Sequence, residues 1–435
     1  MPFCGLDIHK KEVQAVILND DGKVILTQRF LATRSVIEAF ARKHLTKNDR
    51  VALEATTNTW PIAAILGPFV KEVVVSNPLR TKVIAQTKIK TDKVDAKVLA
   101  QLLRVDFLPS VWIPDAETRS MRQRSTERTM FVNDRTRIKN RIHSIFHQRL
   151  LEVPTGELFS TKNLAWLRNP PASLDAEGRA ALTRQLSLFD SVQREVEAVT
   201  DSCAEKAYDN PQIKLLMTLP GFDFCAAGSL LAALGDITRF PSADKAAAYL
   251  GLAPSTYQSG DKCYHGRITK QGRSHARWML TEAAQAAASH PGPLGAFFRK
   301  LAKRRNNRNL AITATARKLV TIAWHMLKNN EPYRYAQPRT IDDKLARLRV
   351  RATGQKRQSG MKKGEKRSAQ YGTGERTRAV PSLDQVYERE GLPPIQPLTA
   401  GEQRMVAEHG VGKHAKEIRT ARRVPRSSKS SKPKQ

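Results

Sequence analysis

The sequence predicts an α/β unit at the N-terminus, a mostly helical stretch after it, and a basic tail. Three observations predict this order. Short apolar runs separated by turn residues fill the first part, and helical periodicity sets in from about Ala116. Beyond Pro338, Gly, Ser, Pro and basic residues displace the large apolar ones. A chain of 435 residues holds three structural units at roughly 150 residues per domain.

The runs "MPFCGLDI" and "EVQAVILN" read as strands, and "DDGK" (Asp20 to Lys23) is a turn leading into "VILTQRF". Together they predict an antiparallel hairpin or three-strand meander. "SVIEAFARKHL" has helical periodicity, while "RVALEAT" and "KEVVVSN" read as buried strands, so the sheet is mixed. From Ala116 to Glu152 the pattern is long, basic and helical, with Arg119, Arg122, Arg128, Arg135, Lys139 and Arg141 interleaved among apolar positions. That stretch reads either as the solvated face of a helical hairpin or as a phosphate-tracking or dimerising helix. A second helical stretch runs from about Ser173 to Lys206, separated from the first by Pro170-Pro171. An Ala-rich helical region begins near Pro211, with a polar loop in its middle. The tail, "RATGQKRQSGMKKGEKRSAQYGTGERTR" through "RRVPRSSKSSKPKQ", reads as mostly disordered, adding polyanion affinity but no chemistry. The expected units are 1–112, 113–208 (a helical, coiled-coil middle), 209–335 and 336–435.

Charge narrows the partner. Lys and Arg number 74 against 41 Asp and Glu, a formal net charge of +33, which favours a polyanion because each neutralised phosphate releases counterions. No run of 18 apolar residues, signal peptide or lipidation motif is seen, so no membrane partner is expected and the cytoplasm, at the nucleoid, is the expected location. The four cysteines are scattered without a CxxC pair, which argues against a disulfide framework or structural zinc. Trp60, Trp112 and Trp278 sit in apolar patterns and are expected in cores.

Four acids stand out. Asp7 in "GLDIHK" and Glu54 in "VALEAT" end apolar strands, where a carboxylate is expensive without a partner or a metal. Asp92 and Asp95 in "KTDKVDAKVLAQLL" share one face at the start of a helix. The plain alternative is that they complement the helix dipole, with Thr91 or Asp92 as N-cap. If the helix lies on the sheet, the four carboxylates converge, which makes sense around divalent cations, Mg2+ or Mn2+ for an all-oxygen site. Lys88, Lys90 and Lys93 would then draw nucleic acid to the acids.

"GLDIHK", "ALEAT" and "KTDKVDAKVLAQLL" resemble the Asp-Glu-Asp-Asp motifs of the one-hundred-and-ten family of insertion-sequence transposases. The resemblance implies an RNase H-like (RuvC-like) N-terminal domain with Asp7, Glu54, Asp92 and Asp95 as catalytic metal ligands. The third unit is similar to the C-terminal transposase domain of that family through Leu219-Pro220-Gly221, Gly235-Asp236, Phe240, "AYLGLAP", Ser259-Gly260 and "ITKQG". "LPGFDFCAAGSLLAAL" resembles a helix-hairpin-helix, although Asp223 stands where a second Gly is usual. Taken by itself, Ser259-Gly260 is a common turn pair. The resemblance makes Ser259 the nucleophile that forms a covalent phosphoserine with DNA. Lys262, Arg267, Lys270, Arg273 and Arg277 flank it as expected phosphate contacts.

The resemblance covers roughly residues 1–335 and implies a DNA transposase or site-specific recombinase. It further implies donor and target DNA, a structured noncoding guide RNA (a bridge RNA) and a homo-oligomer, dimer or tetramer, as partners. Two rivals stay open: a metal-dependent, Holliday-junction-resolvase-like nuclease that needs the four acids but not Ser259, and a non-catalytic nucleic-acid-binding protein that needs none of the five.

Overall fold

A computed structural model describes residues 2–84, 91–355 and 377–425. The chain divides into two compact units, residues 1–115 and 116–435.

Unit 1 is built on a five-stranded sheet of β1 (Phe3–Ile8), β2 (Glu12–Leu18), β3 (Val24–Leu31), β4 (Arg50–Glu54) and β5 (Glu72–Ser76), in the order β3-β2-β1-β4-β5. The first three strands form the expected antiparallel meander, and β1–β4 and β4–β5 pair in parallel. Helices α1 (Arg34–His44), α2 (Thr59–Leu66), α3 (Pro78–Ile84) and α4 (Asp92–Arg104) complete the unit. β1 lies mid-sheet, and helices cover both of its faces. Cys4, Leu6 and Ile8 pack with Ile37 and Phe40 of α1 and Ile62 and Leu66 of α2. Phe3 packs on the opposite side with Ala52, Leu99 and Leu103, which brings α4 over that face. This mixed α/β sheet is consistent with the RuvC-like domain that the resemblance implies.

Unit 2 is mostly helical. Its long helices α5 (Ala116–His147) and α7 (Ala176–Tyr208) run against each other, with the short α6 (Thr161–Arg168) between them in sequence. Arg128 Nε donates to Thr200 Oγ1 at 3.0 Å and Arg135 Nη1 to Gln193 Oε1 at 2.9 Å, so two of the basic residues of α5 join the pair together. There follow α8 (Pro211–Met217), α9 (Phe224–Leu234), α10 (Ala243–Tyr249), the hairpin β6 (Pro254–Ser259) and β7 (Lys262–Ile268), α11 (Ser274–Ala288), α12 (Pro293–Arg305) and α13 (Arg308–Asn329).

The C-terminal part departs from expectation. Among the described residues it forms α14 (Pro338–Thr353), β8 (Thr377–Val380), α15 (Leu383–Arg389), α16 (Ala400–Glu408), α17 (Gly412–Glu417) and β9 (Arg422–Pro425), with β8 and β9 antiparallel. Ile341, Leu345 and Leu348 form a buried helical stripe, and Leu383, Val386, Tyr387 and Ile418 enter the same core as α8–α13. Tyr387 donates its hydroxyl to the Tyr333 carbonyl at 2.8 Å. The Lys344 ammonium donates to the carbonyls of Met217 and Leu219 at 2.9 and 2.8 Å. The expected boundaries at 208/209 and 335/336 therefore fall inside one core. The basic runs that suggested disorder mask a sparse but regular apolar pattern; the richest of them, 356–376 and 426–435, lie outside the described residues.

Candidate active site

The acid site is assembled by strand register and one close helix approach. β1 and β4 are parallel and in register through Leu6 opposite Leu53, so Asp7 and Glu54 stand one step further on, at neighbouring strand ends on one face. That face is the one α4 covers. Gly5 permits it: a Cβ there would lie 2.0 Å from the Ala96 carbonyl oxygen and 2.7 Å from the Ala100 nitrogen. α4 starts at a Thr91 N-cap whose hydroxyl accepts from Val94 N–H at 3.3 Å. Its first turn carries Asp92 and Asp95, in line with the buried Ala96, Leu99 and Leu103 that seat the helix on the sheet.

The result is a short-range cluster. His9 Nε2 lies 3.2 Å from Asp7 Oδ2 and 3.3 Å from Asp92 Oδ1. One ligand atom from each of these three residues falls within 4.8 Å of the others. Arg29 of β3 approaches Asp92 Oδ2 at 3.7 Å. Burial is the main influence pushing the Asp7 carboxyl above its ordinary range; Asp92 and Asp95 push the same way and His9 opposes them. Glu54 is half-buried, and its carbonyl accepts from the Thr59 hydroxyl at 3.0 Å, which ties the strand end to the start of α2. A half-buried Asp7 carboxyl pushed up by burial and by neighbouring carboxylates, with an imidazole between it and Asp92, forms a donor set that a divalent cation fits. Asp7 and Asp92 would hold it; among the described residues Glu54 and Asp95 fall outside the group whose ligand atoms lie within 4.8 Å, so two of the four expected acids meet and two do not.

His9 is the residue sequence reasoning missed. The signal was present, since Asp7 and His9 are two apart and leave the strand on one side. Of the three lysines expected beside the acids, Lys93 is exposed on the first turn of α4, and Lys88 and Lys90 lie outside the described residues.

Ser259 occupies a different setting in unit 2. It ends β6 directly opposite Lys262, across a two-residue turn of Gly260 and Asp261. Gly260 has φ +54°, the left-handed conformation such a turn asks of its first central residue. Ser259 and Lys262 are both exposed. On the opposite face of the hairpin, Thr256 Oγ1 and His265 Nδ1 lie 3.1 Å apart, and Cys263 Sγ approaches the same ring. Alternation along the strands thus turns His265 away from Ser259.

The basic residues nearby divide. Arg267, Lys270 and Arg273 are exposed. Arg277, expected at a phosphate, turns Nη1 to the carbonyls of Leu250 and Gly272, at 3.3 and 3.2 Å, and so braces the loop entering α11. In the α8–α9 hairpin, Asp223 stands where a second Gly is usual. At Gly221, φ is +80° and a Cβ would meet the Ala283 carbonyl oxygen at 2.4 Å, so this glycine permits packing on α11. Asp223 accepts the Ala226 N–H at 2.7 Å, placing its own carboxylate at the helix terminus where an anion would bind. Trp278, expected in the core, is 47% exposed.

Residues 4–149 match the family model DEDD_Tnp_IS110, described as a transposase, and residues 213–299 match that of the transposase IS116/IS110/IS902 family. A putative transposase y4qE of Sinorhizobium fredii is 27% identical over 197 residues, 45% of this chain and about half, 48%, of that relative. The transposase for insertion sequence element IS1111A of Coxiella burnetii is 25% identical over 343 residues, 76% of this chain and 90% of the relative. The pilin gene-inverting protein of Moraxella bovis is 24% identical over 347 residues, 76% of this chain and 97% of the relative.

Proposed function

Since this chain belongs to the IS110/IS116/IS902 transposase family, we propose that it cuts and rejoins DNA with Ser259 as nucleophile and Asp7, Glu54, Asp92 and Asp95 as ligands for Mg2+ or Mn2+. The observation that carries this reading is the meeting of Asp7 and Asp92, from the central strand and a distant helix, around His9. Bound there, a divalent cation supplies Lewis-acid stabilisation of the charge that develops on a phosphodiester.

The serine step balances without another reactant. Ser259 Oγ forms a bond to phosphorus as a phosphodiester P–O bond breaks. One DNA end is left joined to serine, and the other leaves as a hydroxyl carrying, in net terms, the serine proton. The reverse step with a hydroxyl from another DNA end rejoins the strands and conserves the bond. The exposed turn position of Ser259 suits a bulky substrate, and Lys262 opposite it supplies positive charge. The net charge of +33 supports a protein that holds several nucleic-acid segments, and the reading extends to a structured noncoding guide RNA and a homo-oligomer.

A hydrolase is the competing reading, because the acids and Ser259 lie in different units and the acids alone would suit metal-dependent hydrolysis. The test is a trapping experiment with full-length protein, magnesium, element-derived RNA and labelled DNA ends. A denaturation-resistant protein–DNA adduct that disappears in Ser259→Ala is the expected result. Cleavage without adduct, unchanged in Ser259→Ala, would remove the serine from the mechanism.

A further inference from the structure

The hairpin that ends on Ser259 carries a second feature. Tyr257 and Tyr264 are directly opposite each other in the β6–β7 register, next to the Ser259–Lys262 pair on the same face. The contact between Thr256 and His265 on the other face fixes this alternation independently. Both tyrosines are open to solvent, at 69% and 65% exposure. Two large rings side by side on a two-stranded hairpin are an unusual thing to leave in water, since such a hairpin has no core of its own to spare.

We propose that Tyr257 and Tyr264 form a stacking platform for unpaired bases of a DNA strand, positioning the strand beside Ser259. The charge around them selects this occupant. Between Pro254 and Arg273 the chain carries Lys262, Arg267, Lys270 and Arg273 against the single acid Asp261, which complements a phosphate backbone running past the rings. Aromatic faces accept any base, so the platform binds without reading sequence and discriminates a base-bearing strand from one lacking bases. The spacing adds a consequence for chemistry: a base held on the Tyr pair places its neighbouring phosphate one residue step along the face, at Ser259. The inference thus deepens the serine reading and names Tyr257 and Tyr264 as positioning residues.

The experiment compares two labelled probes, a short oligothymidylate and an abasic strand of equal length and charge, binding to full-length protein. Stacking on aromatic side chains contributes on the order of tenfold per base. Native protein is therefore expected to prefer the oligothymidylate by about tenfold or more. Tyr257→Ala/Tyr264→Ala should lose that preference with an unchanged salt slope, and the corresponding Phe pair should keep it. Equal binding of both probes by native protein, or a preference that survives the Ala pair, would overturn the platform. An Ala pair that keeps the preference but changes the mass of the protein in solution would make the surface a contact between copies instead. Ser259→Ala should keep the base preference whether or not the adduct assay implicates the serine, so the two readings fail separately.

Discussion

Replacing Gly5 with alanine tests how the acid site is held together. The new Cβ would lie 2.0 Å from the Ala96 carbonyl oxygen and 2.7 Å from the Ala100 nitrogen, backbone atoms that cannot rotate aside. Ordinary non-bonded contact needs roughly 3.5 Å, so α4 must retreat from β1 by more than an ångström. The retreat opens the packing of Phe3 and Ala52 against Leu99 and Leu103, and overpacking of this kind typically costs about 1–3 kcal/mol. It also carries Asp92 and Asp95 away from Asp7. A misplacement of about 1 Å in a reacting constellation lowers rate by roughly 100-fold. Denaturant unfolding of the full-length variant and the rate of DNA adduct formation are the two readouts. Loss of activity should exceed what the lost stability explains under conditions where the variant is still folded. A variant as stable and as active as the native protein would refute the close approach of α4 as the device that assembles the site.

Other consequences can be checked alongside. Asp7 is held above its ordinary pKa, so the folded state takes up the proton first as pH falls, and unfolding free energy rises as pH drops through the window above the unfolded value. Asp7→Asn should therefore stabilise the protein at neutral pH while abolishing strand exchange, with the stability difference from native shrinking in acid; denaturant midpoints across pH measure it. Lys344→Met strips the Met217 and Leu219 carbonyls of their donor and should lower stability by about 1–3 kcal/mol, read by thermal or denaturant unfolding. Truncation after Pro338 removes Ile341, Leu345, Leu348 and Tyr387 from the unit 2 core and should yield insoluble or unfolded protein, whereas truncation after Pro425 should fold normally. Limited proteolysis and circular dichroism distinguish the two.

How much of this was legible in the sequence depended on how local the signal was. The meander, the two later strands and α4 followed from short apolar runs, turn residues and a helix start; Asp7 and Glu54 were visible because each ends an apolar run, Asp92 and Asp95 because they share a face in a first helical turn. Register did the rest: Asp7 and Glu54 are neighbours only because β1 and β4 pair in parallel, a non-local fact. His9 escaped although its two-residue spacing from Asp7 was visible, because its second partner, Asp92, lies far along the chain. The role of Gly5 was equally hidden, since its partner lies far along the chain in α4. Arg277 read as a basic residue at a helix start; that its Nη1 also braces the Leu250 and Gly272 carbonyls depends on a fold the local sequence does not show. The C-terminal core was missed for the opposite reason: Leu383, Val386 and Tyr387 are few among many basic residues, yet a preformed core elsewhere gives them something to bury against.

The bond from Lys344 to the turn after α8, together with the burial of Ile418, bears on how the protein is made. Unit 1 closes its sheet with residues no later than 115, so it can fold while the ribosome is still working on the rest. Unit 2 opens at Ala116 but completes its interior with side chains as late as Ile418. Until those emerge, the hairpin that bears Ser259 belongs to an unfinished body. A message cut short in this last stretch would release a folded acid-bearing unit joined to a second unit whose interior is incomplete.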